Sequence, residues 1–499
     1  MSRFLTFDIG TTAVKACLFD EYLSLLCSHS FEYQLLYPST GCVELESETY
    51  WRCLCAAARQ VLSACSDPSE ITMITLTTQG ETLIPVGGNG RALSNAIVWL
   101  DARSEEESEI LNERIGSEVL YRHTGIPEFN PTLPICKLLW FKRNKPELYE
   151  KTHTFCLLED YLIFRLTGVF VTNPTLLCST GYFDIMDKEY WEEALEASGV
   201  EREKLPLILP NAVVAGSVCG EGALDTGLAP GTPVSTGGMD QAASALGSGN
   251  FKPGIVTETT GTCLFAAATV EKPDWDISPR SSYYLHVNGK YLLVAYNQAG
   301  AIILKWFRDE FMPEFHALCV EKNLSVYDEM CRLAESVPMG SGGLILVPHF
   351  AGKLVPDVNG RARGVFFGVS LETGRAHFIR AILEGIACML RENIDSLEAC
   401  GITGREIRTL GGGARSRVWN AIKADITGRE IVSMKQNESA SLGAAMMGAL
   451  AAGCFGSFEE MEMFLIKDER FLPRPENRLA SEALYNKYLE VYHALAAIF

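Results

Sequence analysis

The chain has 499 residues, 47% hydrophobic and 21% charged, a composition with ample apolar surface to bury, which excludes disorder along the whole length. The 43 Lys and Arg against 62 Asp and Glu leave a net charge of −19. That is the wrong balance for a dedicated nucleic-acid binder, although a local pocket can still hold a small anion. Length alone suggests about two to four domains. The 16 Cys show no CxxC and no Cys/His cluster of zinc spacing, and read as reduced thiols of a cytoplasmic protein. The apolar run after Met1-Ser2-Arg3 is broken by Asp8, so no export signal is read.

In chain order, Phe4 to Asp8, the break at Gly10-Thr11-Thr12 and Val14 to Phe19 read as a β-hairpin. Trp51 to Ala64 is apolar at helical spacing, and Ile71 to Leu76 is a buried strand ending at Thr77-Thr78-Gln79-Gly80-Glu81. The order β, β, α, β favours a mixed α/β domain. The acidic run Glu105-Glu106-Glu107 reads as a solvated helix face. Asn211 to Gly249, rich in Gly and Pro, reads as a hinge. Within it, Pro233 to Met239 is a strand entering a Gly237-Gly238 turn. The first pattern then returns: Gly254 to Thr262 is a strand ending in a Thr/Gly turn, and Cys263 to Ala268 leads out of it. This weak internal repeat suggests two related α/β domains, expected at 1–249 and 250–499. His377 to Leu397 reads as a long amphipathic helix, and Ile407 to Ser416 repeats the strand-and-glycine shape of Pro233 to Gln241. Ser441 to Phe458, uncharged and rich in Gly and Ala, reads as a packed internal helix and not a membrane span. Asn437-Glu438-Ser439 fits a glycosylation sequon that would be silent in the cytosol.

There is no GxxxxGK[ST] and no GxGxxG opening a helix after a strand, so neither a P-loop nor a dinucleotide fingerprint is present. Four strands nevertheless end in glycine turns, at Gly10, Gly238, Gly261 and Gly413. Each alone could be a tight turn. Together, with Thr hydroxyls beside bare amides, they suit phosphate. Asp8 and Asp240 stand at two of them, where phosphoryl transfer needs a metal-side carboxylate and a proton acceptor. Asp8 could instead cap its turn, and Asp240 could be a helix N-cap. His286 and His349, with no serine or cysteine motif beside them, read as structural.

Asp8-Ile9-Gly10-Thr11-Thr12, Gly237 to Gln241, Thr260-Gly261-Thr262, Gly411 to Ser416, and Ala351-Gly352 through Pro356-Asp357 to Arg361-Ala362-Arg363-Gly364 resemble the FGGY carbohydrate kinases, in the family's order from about residue 4 to 453. The resemblance implies an α/β fold of two actin-like, ribonuclease-H-like domains flanking a deep cleft. It implies ATP and Mg2+ as cofactors and phosphorylation of a sugar or polyol hydroxyl. By position, Asp240 resembles the general base, and Asp8 with Asp240 would face the metal. Thr11, Thr12 and Lys15 from one domain, and Gly261 and Thr262 from the other, would reach the ATP phosphates. Gly300 is similar to another nucleotide-contacting glycine, and Gly412, Gly413 and Arg417 would lie along the adenosine.

The substrate would meet Gln79, Glu81, Trp99, Asp101, Asp240 and Gln241. Trp99 could stack on the sugar and Asp101 bind a hydroxyl, or the segment could be a strand with a buried Trp and a surface Asp101–Arg103 pair. Gly80 stands where glycerol kinases would have an arginine, and Thr132 roughly where they would have a tyrosine. The missing arginine is expected to leave room for a longer substrate. A ketopentose such as xylulose is therefore expected, with a polyol (erythritol, arabitol or glycerol) as the alternative. A non-catalytic actin-like nucleotide-binding protein is the rival of another class, disfavoured by the presence of Asp240. The partners expected are ATP and a small sugar or polyol, with neither nucleic acid nor membrane; a homodimer is left open.

Overall fold

The computed structural model describes residues 2–276, 281–404, 406–436 and 438–499, so Asn437 of the sequon lies outside the described residues. The first half contains β1 (Arg3–Ile9), β2 (Ala13–Phe19), β3 (Leu25–Glu32), α1 (Ser47–Leu62), β4 (Ile71–Thr78), α2 (Pro134–Asn144), α3 (Leu158–Thr167), β5 (Val214–Ser217), β6 (Pro233–Met239) and α4 (Asp240–Gly247). The second half contains β7 (Ile255–Thr260), β8 (Leu264–Val270), β9 (Ser282–Leu285), β10 (Tyr291–Asn297), α5 (Arg375–Ala399), β11 (Glu406–Leu410), α6 (Arg417–Thr427), β12 (Ile431–Met434), α7 (Ser439–Ala451) and β13 (Lys467–Phe471).

Each half is built on one mixed sheet. The first runs β5-β6-β4-β1-β2-β3 and the second β9-β10-β8-β7-β11-β12-β13. In both, an antiparallel meander of three strands (β1-β2-β3; β7-β8-β10) is extended by two parallel strands (β4, β6; β11, β12) and an antiparallel edge (β5; β13). The internal repeat read from the hairpins is thus a repeat of the whole sheet. The central strands are buried on both faces, as parallel strands between helical layers must be. Phe4, Leu5, Phe7 and Ile9 of β1 and Ile71, Met73, Ile74 and Leu76 of β4 are all buried. In α1 the buried Trp51, Leu54, Ala58 and Val61 recur at helical spacing.

The repeat corrects two readings. Gly237 and Gly238 are not a turn after the strand; both lie inside β6. The segment after β11, at Gly411 to Arg415, does not correspond to them either. β11 occupies the place of β4, and the counterpart of β6 and α4 is β12 and α7. Those two helices pack on each other almost backbone to backbone. A Cβ at Gly443 would stand 1.9 Å from Ala243 O, and one at Gly247 2.0 Å from Ser439 O. The small residues of α7 therefore serve this crossing, and α7 is a buried internal helix. Among the described residues no helix is long and apolar enough to cross a membrane. The stretch read as a hinge, 211–249, is folded into the first half as β5, β6 and α4. The 16 Cys form no disulfide. Glu107 is not on a solvated face: it is buried and paired with Arg143 at 2.5 Å.

Candidate active site

Asp8 and Asp240 emerge from neighbouring parts of the first sheet. Asp8 lies near the end of β1, in register with Lys15 on β2 and Thr77 on β4. Asp240 opens α4 directly after β6, with Met239 at the N-cap and no side chain capping the helix, so its carboxyl is not spent as a cap. Burial pushes the Asp240 carboxyl up to about 8, and the charges of Asp8 and Glu81 push the same way. Burial also pushes Asp8 up to about 6; Lys15 opposes this and Glu438 adds to it. Three acids therefore converge, and none of the side-chain charges acting on Asp240 is a cation.

Glu81 sits at the end of the Gln79-Gly80-Glu81 turn with φ +57°, a left-handed conformation that a non-glycine residue holds only against strain. Lys137 of α2, wholly buried, donates Nζ to Glu81 O and to Val98 O, both at 3.1 Å. Burial draws this ammonium down to about 8, against the pull of Glu81 and Asp101. Gln79 is buried; its Nε2 donates to Tyr50 Oη and Thr82 Oγ1, while its Oε1 has no protein partner. The Trp99 amide donates to Thr82 Oγ1 at 3.3 Å and its indole Nε1 to Thr11 Oγ1 at 3.0 Å, tying the turn at Gln79 to the first hairpin. Asp101 is wholly buried: Val43 N donates to Oδ2, Arg103 N to Oδ1, and the Arg103 guanidinium grips both oxygens. The Asp101–Arg103 pair is thus no surface pair. Gln241 follows Asp240 in the first turn of α4, half-buried. The expected room at Gly80 is not there. A Cβ on Gly80 would meet Met239 Sδ at 3.0 Å and Ser179 Oγ at 3.2 Å. Thr132 is held in a local turn by Asn130 Oδ1.

The two hairpin turns carry matching features. Gly10 N donates to Ala13 O and Gly261 N to Cys263 O, each at 3.0 Å. Thr12 and Thr262 are exposed, with Thr11 and Gly261 half-buried beside them. Gly300 braces the second turn: its N donates to Thr262 O at 2.7 Å, and a Cβ there would lie 2.5 Å from Cys263 O. Burial pushes the Cys263 thiol of the second turn up, and the charge of Asp240 adds to it. Burial and then Glu81 raise the Tyr296 phenol of β10 to about 12. The halves also meet at Lys15, whose Nζ forms an ion pair with Glu438, the residue preceding α7. Gly412 and Gly413 follow β11; a Cβ at Gly412 would meet nothing within 4 Å, whereas one at Gly413 would strike Thr260 Cβ at 2.8 Å. Arg417 opens α6, largely exposed, with Nε 2.9 Å from Glu469. His286 and His349 are buried and drawn down to about 4 and about 3 by burial.

Lys137, Glu438 and Tyr296 were not singled out from the sequence. A lysine inside the apolar run Pro134 to Phe141, and a glutamate immediately before the small-residue helix α7, were the available signals. For Tyr296 there was none.

The residues present fit magnesium. Asp8 and Asp240 offer hard carboxylate oxygens, and no group of three or more His, Cys, Asp or Glu among the described residues could hold a metal alone. Magnesium commonly takes one or two carboxylates, completing its shell with phosphate oxygens and water.

Residues 3–247 match the N-terminal domain, and residues 257–452 the C-terminal domain, of the FGGY family of carbohydrate kinases. A gluconokinase of Bacillus subtilis is 29% identical over 95% of this chain and 92% of its own. A glycerol kinase of Thermococcus gammatolerans is 31% identical over 95% and 94%. The crystal structure of a ligand-bound xylulose kinase from Lactobacillus acidophilus superposes with a TM-score of 0.89 at 26% identity, covering 100% of this chain and 99% of that one.

Proposed function

From the premise that the chain belongs to the FGGY family of carbohydrate kinases, we propose that it phosphorylates a hydroxyl of an uncharged sugar, a ketopentose such as xylulose, with Asp240 as general base. ATP is the phosphoryl donor of such kinases. The observation that carries the proposal is the environment of Asp240, a half-buried carboxyl on which the charges of Asp8 and Glu81 act and which burial pushes up to about 8. A carboxylate with raised proton affinity is a competent acceptor for the proton of an attacking hydroxyl near neutral pH. Asp8 and Asp240 would hold magnesium, which when bound offsets charge on the transferring phosphoryl group. The hairpin turns at Thr11-Thr12 and Gly261-Thr262, with Lys15, would hold the phosphates; Gly412, Gly413 and Arg417 would lie along the adenosine. Gln79, Glu81, Trp99 and Gln241 would surround the sugar, while Asp101 would shape that wall through Arg103.

The same acids bear on the substrate. Lys137 of the sugar wall already donates to two carbonyls, so a gluconate carboxylate placed beside Glu81 would meet a like charge in a poorly solvated site, which is costly. This favours a neutral sugar or polyol over a sugar acid. A coupled ADP-release screen over xylulose, ribulose, gluconate, glycerol, erythritol and arabitol tests it. The expected result is the highest specificity constant on a ketopentose; gluconate as best substrate would overturn the substrate reading.

A further inference from the structure

Four backbone groups just ahead of Asp240 are each held by a side chain from a different part of the first half. Gly237 N donates to Glu159 Oε1 of α3 at 3.0 Å, and Gly237 O accepts from Asn211 Nδ2 at 2.6 Å. Gly238 O accepts from Thr77 Oγ1 of β4 at 2.8 Å, and Met239 N donates to Thr175 Oγ1 at 3.2 Å. The register of β6 on β4 shifts between Ser235 and Gly238, so these side chains supply what the ladder does not. The approach is close enough to demand glycine: a Cβ at Gly238 would lie 2.8 Å from Thr175 Oγ1, and one at Gly237 1.6 Å from Leu76 O.

Three of the four holders converge on one amide. Asn173 Nδ2 donates to Glu159 Oε1 at 2.9 Å, and Asn173 Oδ1 accepts from Thr175 Oγ1 at 2.7 Å and from Asn211 Nδ2 at 2.8 Å. Asn173 is wholly buried. Its donor end serves Glu159 and its acceptor end serves Thr175 and Asn211, which neither an acid nor an aliphatic residue of that size could do.

We propose that Asn173 is a positioning residue for Asp240: by joining Glu159, Thr175 and Asn211 it fixes Gly237 to Met239, and with them the direction in which the Asp240 carboxyl enters the site. The inference rests on the reading of Asp240 as general base. Positioning errors of a fraction of an ångström suffice to slow a proton transfer.

Two variants test it, assayed on the best substrate of the screen well below their Tm. Asn173→Asp replaces the donor facing Glu159 by an oxygen. Thr175→Val keeps the volume and removes the acceptor for Met239 N; it carries the test should Asn173→Asp not fold. Each is expected to lower kcat about 10- to 100-fold with ATP Kd changed less than about twofold, and to add no further loss in an Asp240→Asn background. A folded variant with kcat within twofold of the parent, or the same loss with and without Asp240, would overturn the proposal. Turnover of Asp240→Asn itself near that of the parent would instead remove the general base, and this inference with it.

Discussion

The two hairpins, alike in topology, put their acids to opposite uses. Asp8 on β1 and Glu258 on β7 each pair in parallel register with a threonine of the next strand, Thr77 and Thr409. Glu258 is wholly buried and fully engaged: Lys423 Nζ of α6 lies 2.6 Å from Oε1, Thr260 Oγ1 donates to Oε2 at 2.6 Å, and Thr409 Oγ1 donates to Oε1. Asp8 has no such enclosure. Thr77 gives its hydroxyl to Gly238 O, and Lys15, the cation whose charge acts on Asp8, is paired with Glu438. The first half leaves its acid charged, poorly solvated and facing another acid, an arrangement suited to a metal and a proton. The second half neutralises its acid and leaves only the turn. One sheet plan repeated twice thus holds one acid open and locks the other; on the proposed function, the first half would carry the chemistry and the second would complete the nucleotide site.

The largest effect that would sharpen this contrast is on stability. Lys423→Met leaves Glu258 buried without its cation, and breaking a buried pair from one side costs about 3–5 kcal/mol. Chemical denaturation should read that loss. A variant within about 1 kcal/mol of the parent would mean that the second acid is not locked as described.

Asp8→Asn should act in the other direction, lowering turnover on the order of 100-fold or more without loss of folding stability. Measured kcat and Tm together check it, and a normal turnover would make the two hairpins equivalent.

Gly80→Arg should weaken the preferred sugar by about 1–3 kcal/mol through overpacking. The cause is collision with Met239 and Ser179, not the filling of vacant space. Specificity constants on xylulose and glycerol for both proteins decide it; an unchanged constant on the larger sugar would put the pocket elsewhere.

The smallest effect concerns pH. The Asp240 carboxyl stands at about 8 in the fold against an ordinary 3.8, so between roughly pH 4 and 8 the folded state binds more protons than the unfolded state, and stability falls as pH rises through that window. Asp240→Asn should therefore raise Tm at pH 8, on the order of 2 °C, in metal-free buffer, and leave it unchanged near pH 4. Equal shifts at both values would contradict the burial of that charge.

The hairpins, the buried α7 and the candidate acids were legible because each is a local pattern: apolar strand, acid, glycine turn, or small residues at helical spacing. What was misread depends on distant neighbours. Gly237 and Gly238 look like any phosphate turn until Leu76 and Thr175 are seen against them. Gly80 looks like vacant space until Met239 fills it. Asn173 in Asn-Pro gives the signal of a turn, and nothing nearby announces that it joins two distant segments, at Glu159 and Asn211, to its own. Glu438 could have been found by aligning the repeat strand by strand, which pairs α7 with α4, and not by matching glycines, which paired Gly413 with Gly238.

The account turns on Asp240, and Asp240→Asn measured beside Glu258→Gln tests it most directly, by turnover under saturating substrates and by ATP binding. The account predicts that Asp240→Asn binds ATP almost as the parent does and turns over about 100- to 10,000-fold more slowly, the usual consequence of losing a general base. Glu258→Gln, in contrast, is predicted to lose stability while the molecules that stay folded keep most of their turnover. Near-parental turnover by Asp240→Asn, or a larger loss of turnover in Glu258→Gln than in Asp240→Asn, would contradict it.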